Sequence, residues 1–226
     1  MDHTLSRFDN DLYALRNHVT TMADIVERQF MRAVDSIRMA DLPLAARVLN
    51  DEDEVNRRHL QTDMLCNEML ARLQPIAVDL REIIAVLHMN NDLERIGDEA
   101  KKMAIRARLL QGRELPTEPL EKMHQMAITV SQMLRDSVRA FVQRDSALAR
   151  QVAQSDLAVD LARDELISVL VNDIGNRSEL ATVGVDLAFA VQSIERVGDH
   201  SKNIAEYVIH IVDGVDPRHN RVKATA

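Results

Sequence analysis

The chain has 226 residues, 46% hydrophobic but only 3% aromatic, with 6 Gly, 5 Pro and no Trp; so few turn residues predict an almost wholly helical fold. A formal charge of −8 argues against nucleic acid, whose phosphates need a basic stripe, and gives no support for binding an anionic membrane surface. Cys66 is the only cysteine, no apolar run approaches the roughly 18 residues of a membrane span, and Met1-Asp2-His3-Thr4 lacks a signal-peptide pattern, so a soluble cytoplasmic protein without membrane insertion is expected.

The first helical seam runs through Leu5, Phe8, Leu12, Leu15, Val19, Met22 and Val26, in steps of three and four, and continues through Phe30, Ala33 and Ile37 to about Ala40. Asp41 is the predicted N-cap of a second helix, with Pro43 in its first turn. That helix uses Leu44, Val48, Val55, Thr62, Cys66, Met69 and Leu73 and ends near Gln74-Pro75. A third runs from about Asp79 to Leu110 with Val86, Met89, Leu93, Ile96, Ala100, Met103 and Ala107 on its seam. Residues 111–119 break the pattern with one Gly and two Pro. A fourth helix carries Met123, Met126, Val130, Leu134, Val138 and Phe141; a fifth follows Asp145, with Leu148, Val152, Val159, Leu166 and Leu170. Asn172-Asp173-Ile174-Gly175-Asn176 is read as a turn cluster, and the sixth helix spans about Ser178 to Asp213, stopped by Gly214.

The halves repeat. A shift of 104 carries Met22 to Met126, Val26 to Val130, Asp41 to Asp145, Val48 to Val152 and Val55 to Val159; in the third helix the shift is 101. The expected fold is all-α: two tandem three-helix bundles over 1–112 and 117–214, with a loose tail over 215–226. The repeat unit is too long for a solenoid of the common helical types.

Within the repeat, Leu93-Glu94-Arg95-Ile96-Gly97-Asp98 matches Ile194-Glu195-Arg196-Val197-Gly198-Asp199, with Lys101 answering to Lys202. Each copy places two carboxylates four residues apart, which repel, beside a mid-helix Gly that costs about 1 kcal/mol. At roughly 100° per residue, Glu94 and Asp98 point away from the seam defined by Leu93 and Ile96, and Glu195 and Asp199 do the same. On the second and fifth helices Glu52/Asn56 and Asp156/Asp160 form analogous pairs on the shoulder of the seam. Oxygen donors without thiolates suit Mg²⁺, Ca²⁺, Mn²⁺ or iron, with Zn²⁺ also open. Two plainer readings stand beside this one: a solvated acidic face balanced by Arg95, Arg196, Lys101 and Lys202, and glycines that serve tight helix packing. If helices two and three are antiparallel about residue 76, Glu52 and Glu94 are offset by about 9 Å. Glu121 and His124 have Glu-x-x-His spacing, but Thr20 at the corresponding position breaks the pattern a di-iron bundle needs.

The Glu-Arg-x-Gly-Asp stretches, with Gln74-Pro75, Asp79-Leu80-Arg81, Ser193 and Asn203-Ile204, resemble the PhoU family of phosphate-signalling regulators over essentially residues 5–213. The resemblance implies two three-helix bundles and a protein without catalysis of its own. It implies action with the ATPase of the high-affinity phosphate ABC transporter and with a sensor histidine kinase, keeping the phosphate-starvation response off. Its acid-x-x-x-Asp metal motif maps to Glu94/Asp98, Glu195/Asp199, Glu52/Asn56 and Asp156/Asp160. Asn56 departs from the pattern and weakens the first-half site. Leu180-Ala181-Thr182 stands where the second half would repeat Asp-Leu-Arg. A homodimer is expected from the exposed helical faces. The alternative is a carboxylate-bridged metalloenzyme on a helical bundle, which needs the acids inside an enclosed pocket.

Overall fold

The computed structural model describes residues 2–215, with side chains from residue 9 onwards apart from Ser178. The side chains of Leu5 and Phe8 of the first seam, and the tail from 216, lie outside what it describes. Among the described residues there are six long helices and no strand: α1 (Asp2–Arg38), α2 (Leu42–Leu73), α3 (Ala77–Leu109), α4 (Thr117–Gln143), α5 (Ser146–Asn176) and α6 (Ala181–Asp213).

The seams are the core. Val19, Met22, Val26, Phe30 and Ile37 of α1 meet Val48, Val55, Cys66 and Met69 of α2 and Val86, Met89, Leu93, Ile96 and Met103 of α3, all fully or almost fully buried. The second half repeats this with Met126, Val130 and Leu134 of α4, Val152, Val159 and Leu166 of α5, and Val191, Ile194 and Val197 of α6. Asp41 Oδ1 accepts from Leu44 N at 2.9 Å, and Asp145 Oδ1 accepts from Ala147 N and Leu148 N, so the duplicated N-caps form as the residue pattern requires. Gly214 closes α6 at φ 72°.

Two expectations are corrected. Asn172–Asn176 is the last turn of α5 and not a turn cluster. Leu170 is buried, and Ile174 lies against Gly184 of α6, so the packing outweighs the weak helix propensity of Asn, Asp and Gly. The chain leaves the helix one residue later, at Arg177, with φ −139° and ψ 90°. Pro119, placed in the connection by sequence, sits buried in the first turn of α4, where a missing N–H costs no helical hydrogen bond.

The three-helix units pack side by side. α3 lies against α6 and α1 against α4, leaving α2 and α5 on the flanks. The α3/α6 seam is related to itself by the repeat. At one end His88 stacks on Tyr207 at 5.4 Å between centroids, and at the other the Arg106 guanidinium lies 4.4 Å from the Phe189 ring centroid, positions that exchange under the shift of 101. Between them His200 Nδ1 lies 2.7 Å from Asp92 Oδ1 and Arg196 Nη1 is 3.4 Å from Glu99 Oε1. A clamp around one buried carboxylate ties the corner where the halves meet: Glu82 accepts from Arg16 Nε at 2.6 Å and pairs with Arg144, the residue that caps α4 at φ 52°.

Candidate functional site

The two acidic segments sit mid-helix because their glycines let neighbouring helices close in. A Cβ on Gly97 would stand 3.2 Å from Gln29 Oε1 and 3.3 Å from Val55 Cγ1; on Gly198 it would meet Val159 Cγ1 at 3.4 Å and Val130 Cγ2 at 3.5 Å. The packing role of these glycines is therefore present in both halves. It also brings the acids of α3 under the shoulder of α2, and those of α6 under α5.

The acids differ in how open they are. Glu52, Asp156 and Glu195 are buried, Glu94, Asp98 and Asp160 are half-buried, and Asn56 and Asp199 are exposed. The side of α3 and α6 opposite the seam is in part a second packing face, because each of these helices packs on three neighbours. Burial, then Asp98 and Glu52 beside it, raises the Glu94 carboxyl above its usual range. Burial and Asp199 do the same for Glu195; Asp199, the most open of these acids, is raised by the partial desolvation its neighbours impose and by Asp156 and Asp160. These couplings bring Glu52, Glu94 and Asp98 into one electrostatic group, and Asp156, Asp160, Glu195 and Asp199 into another.

The basic residues take up specific places. Lys202 pairs with Asp156, and Lys101 Nζ lies 3.6 Å from Glu52 Oε1. Arg163 Nη1 reaches Glu195 Oε1 at 2.5 Å and Asp160 Oδ1 at 3.4 Å, while Gln192 Nε2 donates to Glu195 Oε2 at 2.7 Å. Sequence reading gave Lys101 and Lys202 only a general balancing role and did not single out Arg163 or Gln29. Gln29 is fully buried and donates from Nε2 to Val48 O at 3.0 Å and to Glu52 Oε2 at 3.4 Å. A polar residue among the apolar positions Val26, Phe30 and Ala33 was the available signal. Glu121 and His124 form no joint site: Glu121 lies 3.8 Å from Arg38, and His124 lies 3.7 Å from Asp35.

Donor chemistry at these clusters suits a hard cation. Among the described residues no three His, Cys, Asp or Glu side chains converge to hold a metal ion. Two of the three most buried acids already carry a lysine. Between α3 and α6 an open cleft of about 640 Å³, lined among others by Asp98, Arg95, Arg196 and Asp199, joins the two acidic regions. It offers no enclosed pocket of the kind the metalloenzyme alternative needs. Cys66 is buried in the α2 seam, and burial pushes its thiol up to about 12, so it packs as a small apolar residue.

Fold and site together define a class: an all-α protein built from a duplicated three-helix unit, with an oxygen-bearing quartet carried by the second and third helices of each unit, three acids and Asn56 in the first and four acids in the second. The PhoU domain model matches the chain twice, over residues 19–107 and 123–208, and the chain belongs to that family. It is 38% identical to a phosphate-specific transport system accessory protein PhoU homolog of Pseudomonas putida, over 98% of this chain and 86% of the relative. It is 30% identical to the phosphate-specific transport system accessory protein PhoU of Escherichia coli K12, over 96% of this chain and 90% of that one. The crystal structure of PhoU from Pseudomonas aeruginosa superposes with a TM-score of 0.89 at 36% identity, covering 92% of this chain and all of the other. The phosphate transport system regulatory protein PhoU of Streptococcus pneumoniae, at 24% identity and a TM-score of 0.86, shares the fold. No helix among the described residues is long and apolar enough to cross a membrane.

Proposed function

We propose that this protein is a non-catalytic accessory component of phosphate-specific transport that holds the phosphate-starvation response off when phosphate is plentiful. It acts in the cytoplasm as a homodimer, linking the ATPase subunit of the high-affinity phosphate transporter to a sensor histidine kinase. The observation that carries this reading is end-to-end similarity to relatives named as accessory proteins of that transport system, with both copies of the Glu-Arg-x-Gly-Asp stretch inside the matched regions. A scaffold of long, rigid helices with its polar groups largely paired suits docking better than turnover. Deleting the gene tests the reading: phosphate-responsive promoters are expected to fire in phosphate-rich medium, and unchanged expression would overturn it. Co-purification of the tagged protein with the transporter ATPase and the kinase tests the linkage directly.

Cation binding by the quartets is a separate part of the proposal. It is supported by the oxygen-only donor set of Asp156, Asp160, Glu195 and Asp199, and by the excess of carboxylates over basic partners. In the first half Asn56 supplies one neutral oxygen beside Glu52, Glu94 and Asp98. Mn²⁺ titration of the wild type against the Glu195→Gln/Asp199→Asn variant is expected to show lost binding; equal isotherms would mean that these acids serve packing and charge balance alone.

A further inference from the structure

We propose that Lys101 and Lys202 are built-in counter-ions that occupy the cation position of their own quartets, so that an external divalent ion binds only by displacing the lysine. The inference rests on the reading that the quartets take cations, and it concerns what controls them.

Helix register carries the argument. Glu52 and Lys101 stand almost equally far from the α2–α3 turn near residue 76, and Asp156 and Lys202 almost equally far from the α5–α6 turn near residue 179. Antiparallel helices place such residues level with one another, which is why the lysine takes the place beside the acid on the facing helix. Each lysine lies three residues after an acid on its own helix, Asp98 or Asp199, yet pairs with the acid across the helix interface. The same choice is made in both halves.

Burial separates this from a surface ion pair. The side chains of Lys202 and Asp156 are 14% and 10% exposed. An ammonium buried to that degree persists only against an opposite charge, and a carboxylate that loses its buried partner is left strongly unfavourable unless another cation replaces it. The pair is thus an exchange site: one positive charge is required there, and the chain supplies it. In the first half the hold is looser, since Lys101 is 42% exposed and 3.6 Å from Glu52. The second half adds a further restraint. Arg163 stands where the first half has His59, and Asp160 where it has Asn56, so the extra carboxylate arrives together with an extra guanidinium. By charge the halves are closer to equal than their acids alone imply, and the second is the more firmly closed.

Isothermal titration with Mn²⁺ of the wild type, Lys202→Gln, Lys101→Gln and Glu195→Gln/Asp199→Asn tests this. The glutamine amide still donates to the acid but carries no charge, which favours a folded variant. Lys202→Gln is expected to bind Mn²⁺ at least about tenfold more tightly than wild type, with a smaller gain for Lys101→Gln. Unchanged or weaker binding by Lys202→Gln overturns the inference; if wild type still binds and the double acid variant does not, the cation reading survives it. Tight binding by Lys202→Gln with none by wild type supports the inference and overturns the cation reading for the unmodified protein. No binding by either overturns both. A second readout uses the wild type alone: acylation of the Lys202 amine, followed by peptide mass spectrometry, is expected to accelerate several-fold on Mn²⁺ addition. The same rate with and without Mn²⁺ overturns the inference.

Discussion

Val55 of α2 packs into the gap left by Gly97 of α3, with its Cγ1 3.3 Å from the position a Cβ would take. The counterpart contact, Val159 on Gly198, is slightly wider at 3.4 Å. Gly97 has a second tight neighbour, Gln29 Oε1 at 3.2 Å, where Gly198 has Val130 Cγ2 at 3.5 Å, and this decides the sign of an alanine substitution. At Gly198 the gain in helix propensity, about 1 kcal/mol, meets ordinary van der Waals contact, so Gly198→Ala is expected to raise Tm by about 2–4 °C. At Gly97 the fully buried Gln29 and Val55 must give way, and overpacking of about 1–3 kcal/mol cancels or exceeds the gain. Thermal denaturation of the two variants side by side checks this; an equal rise in both would show that α1 and α2 yield freely.

The carboxylates that burial and neighbouring acids raise make a prediction about pH. Asp199 in the folded protein holds its proton to higher pH than the unfolded chain does, because partial desolvation and the nearby Asp156 disfavour its charge. From the ordinary aspartate value of 3.8 up through the raised value, the folded state binds more protons, so stability falls as pH rises, and the penalty persists above that window. Glu94 behaves alike, starting from 4.5. Asp199→Asn and Glu94→Gln are therefore expected to raise Tm at pH 7 in chelator-treated buffer, with the advantage shrinking towards pH 4. A lower Tm at pH 7 would show that these carboxylates have stabilising partners in solution.

Glu82, 1% exposed, is gripped by Arg16 of α1 and by Arg144 at the end of α4. Its removal strips two arginines of their partner at the corner where the halves meet. Both arginines reach water, which limits the loss to about 2 kcal/mol for Glu82→Ala, a fall in Tm of about 4–8 °C. Glu54, which pairs with Arg57 and Arg58 on the outer side of α2, offers the control: Glu54→Ala is expected to leave Tm unchanged.

The duplicated N-caps offer a check on the repeat itself. Asp41→Ala and Asp145→Ala each remove a side-chain acceptor from the first turn of α2 or α5, and each is expected to cost about 1 kcal/mol. Because the caps belong to different units and share no partner, the double variant should lose the sum of the two. A loss well short of additive would mean that one unit unfolds ahead of the other.

Sequence by itself determined the helices, their buried seams, the N-caps at Asp41 and Asp145, the stop at Gly214 and the duplication. These follow from rules that act within one or two turns: a period of 3.6, a capping oxygen, a glycine able to adopt positive φ. It also located both acidic segments, since a repeated unfavourable choice is visible without coordinates. What only the tertiary structure decided is how those segments are surrounded. The contact of α3 with α6 joins faces far apart in the chain and leaves Glu94, Asp98 and Asp199 along an open cleft, while Glu52, Asp156 and Glu195 are buried. Packing of Ile174 on Gly184 kept Asn172–Asn176 helical against local propensity. Above all, the partners of Lys101 and Lys202 were set by the level at which antiparallel helices meet: the lysines lie one turn from acids on their own helices but are held by acids on others, because burial makes the charge across the interface count for more than the charge nearby in sequence.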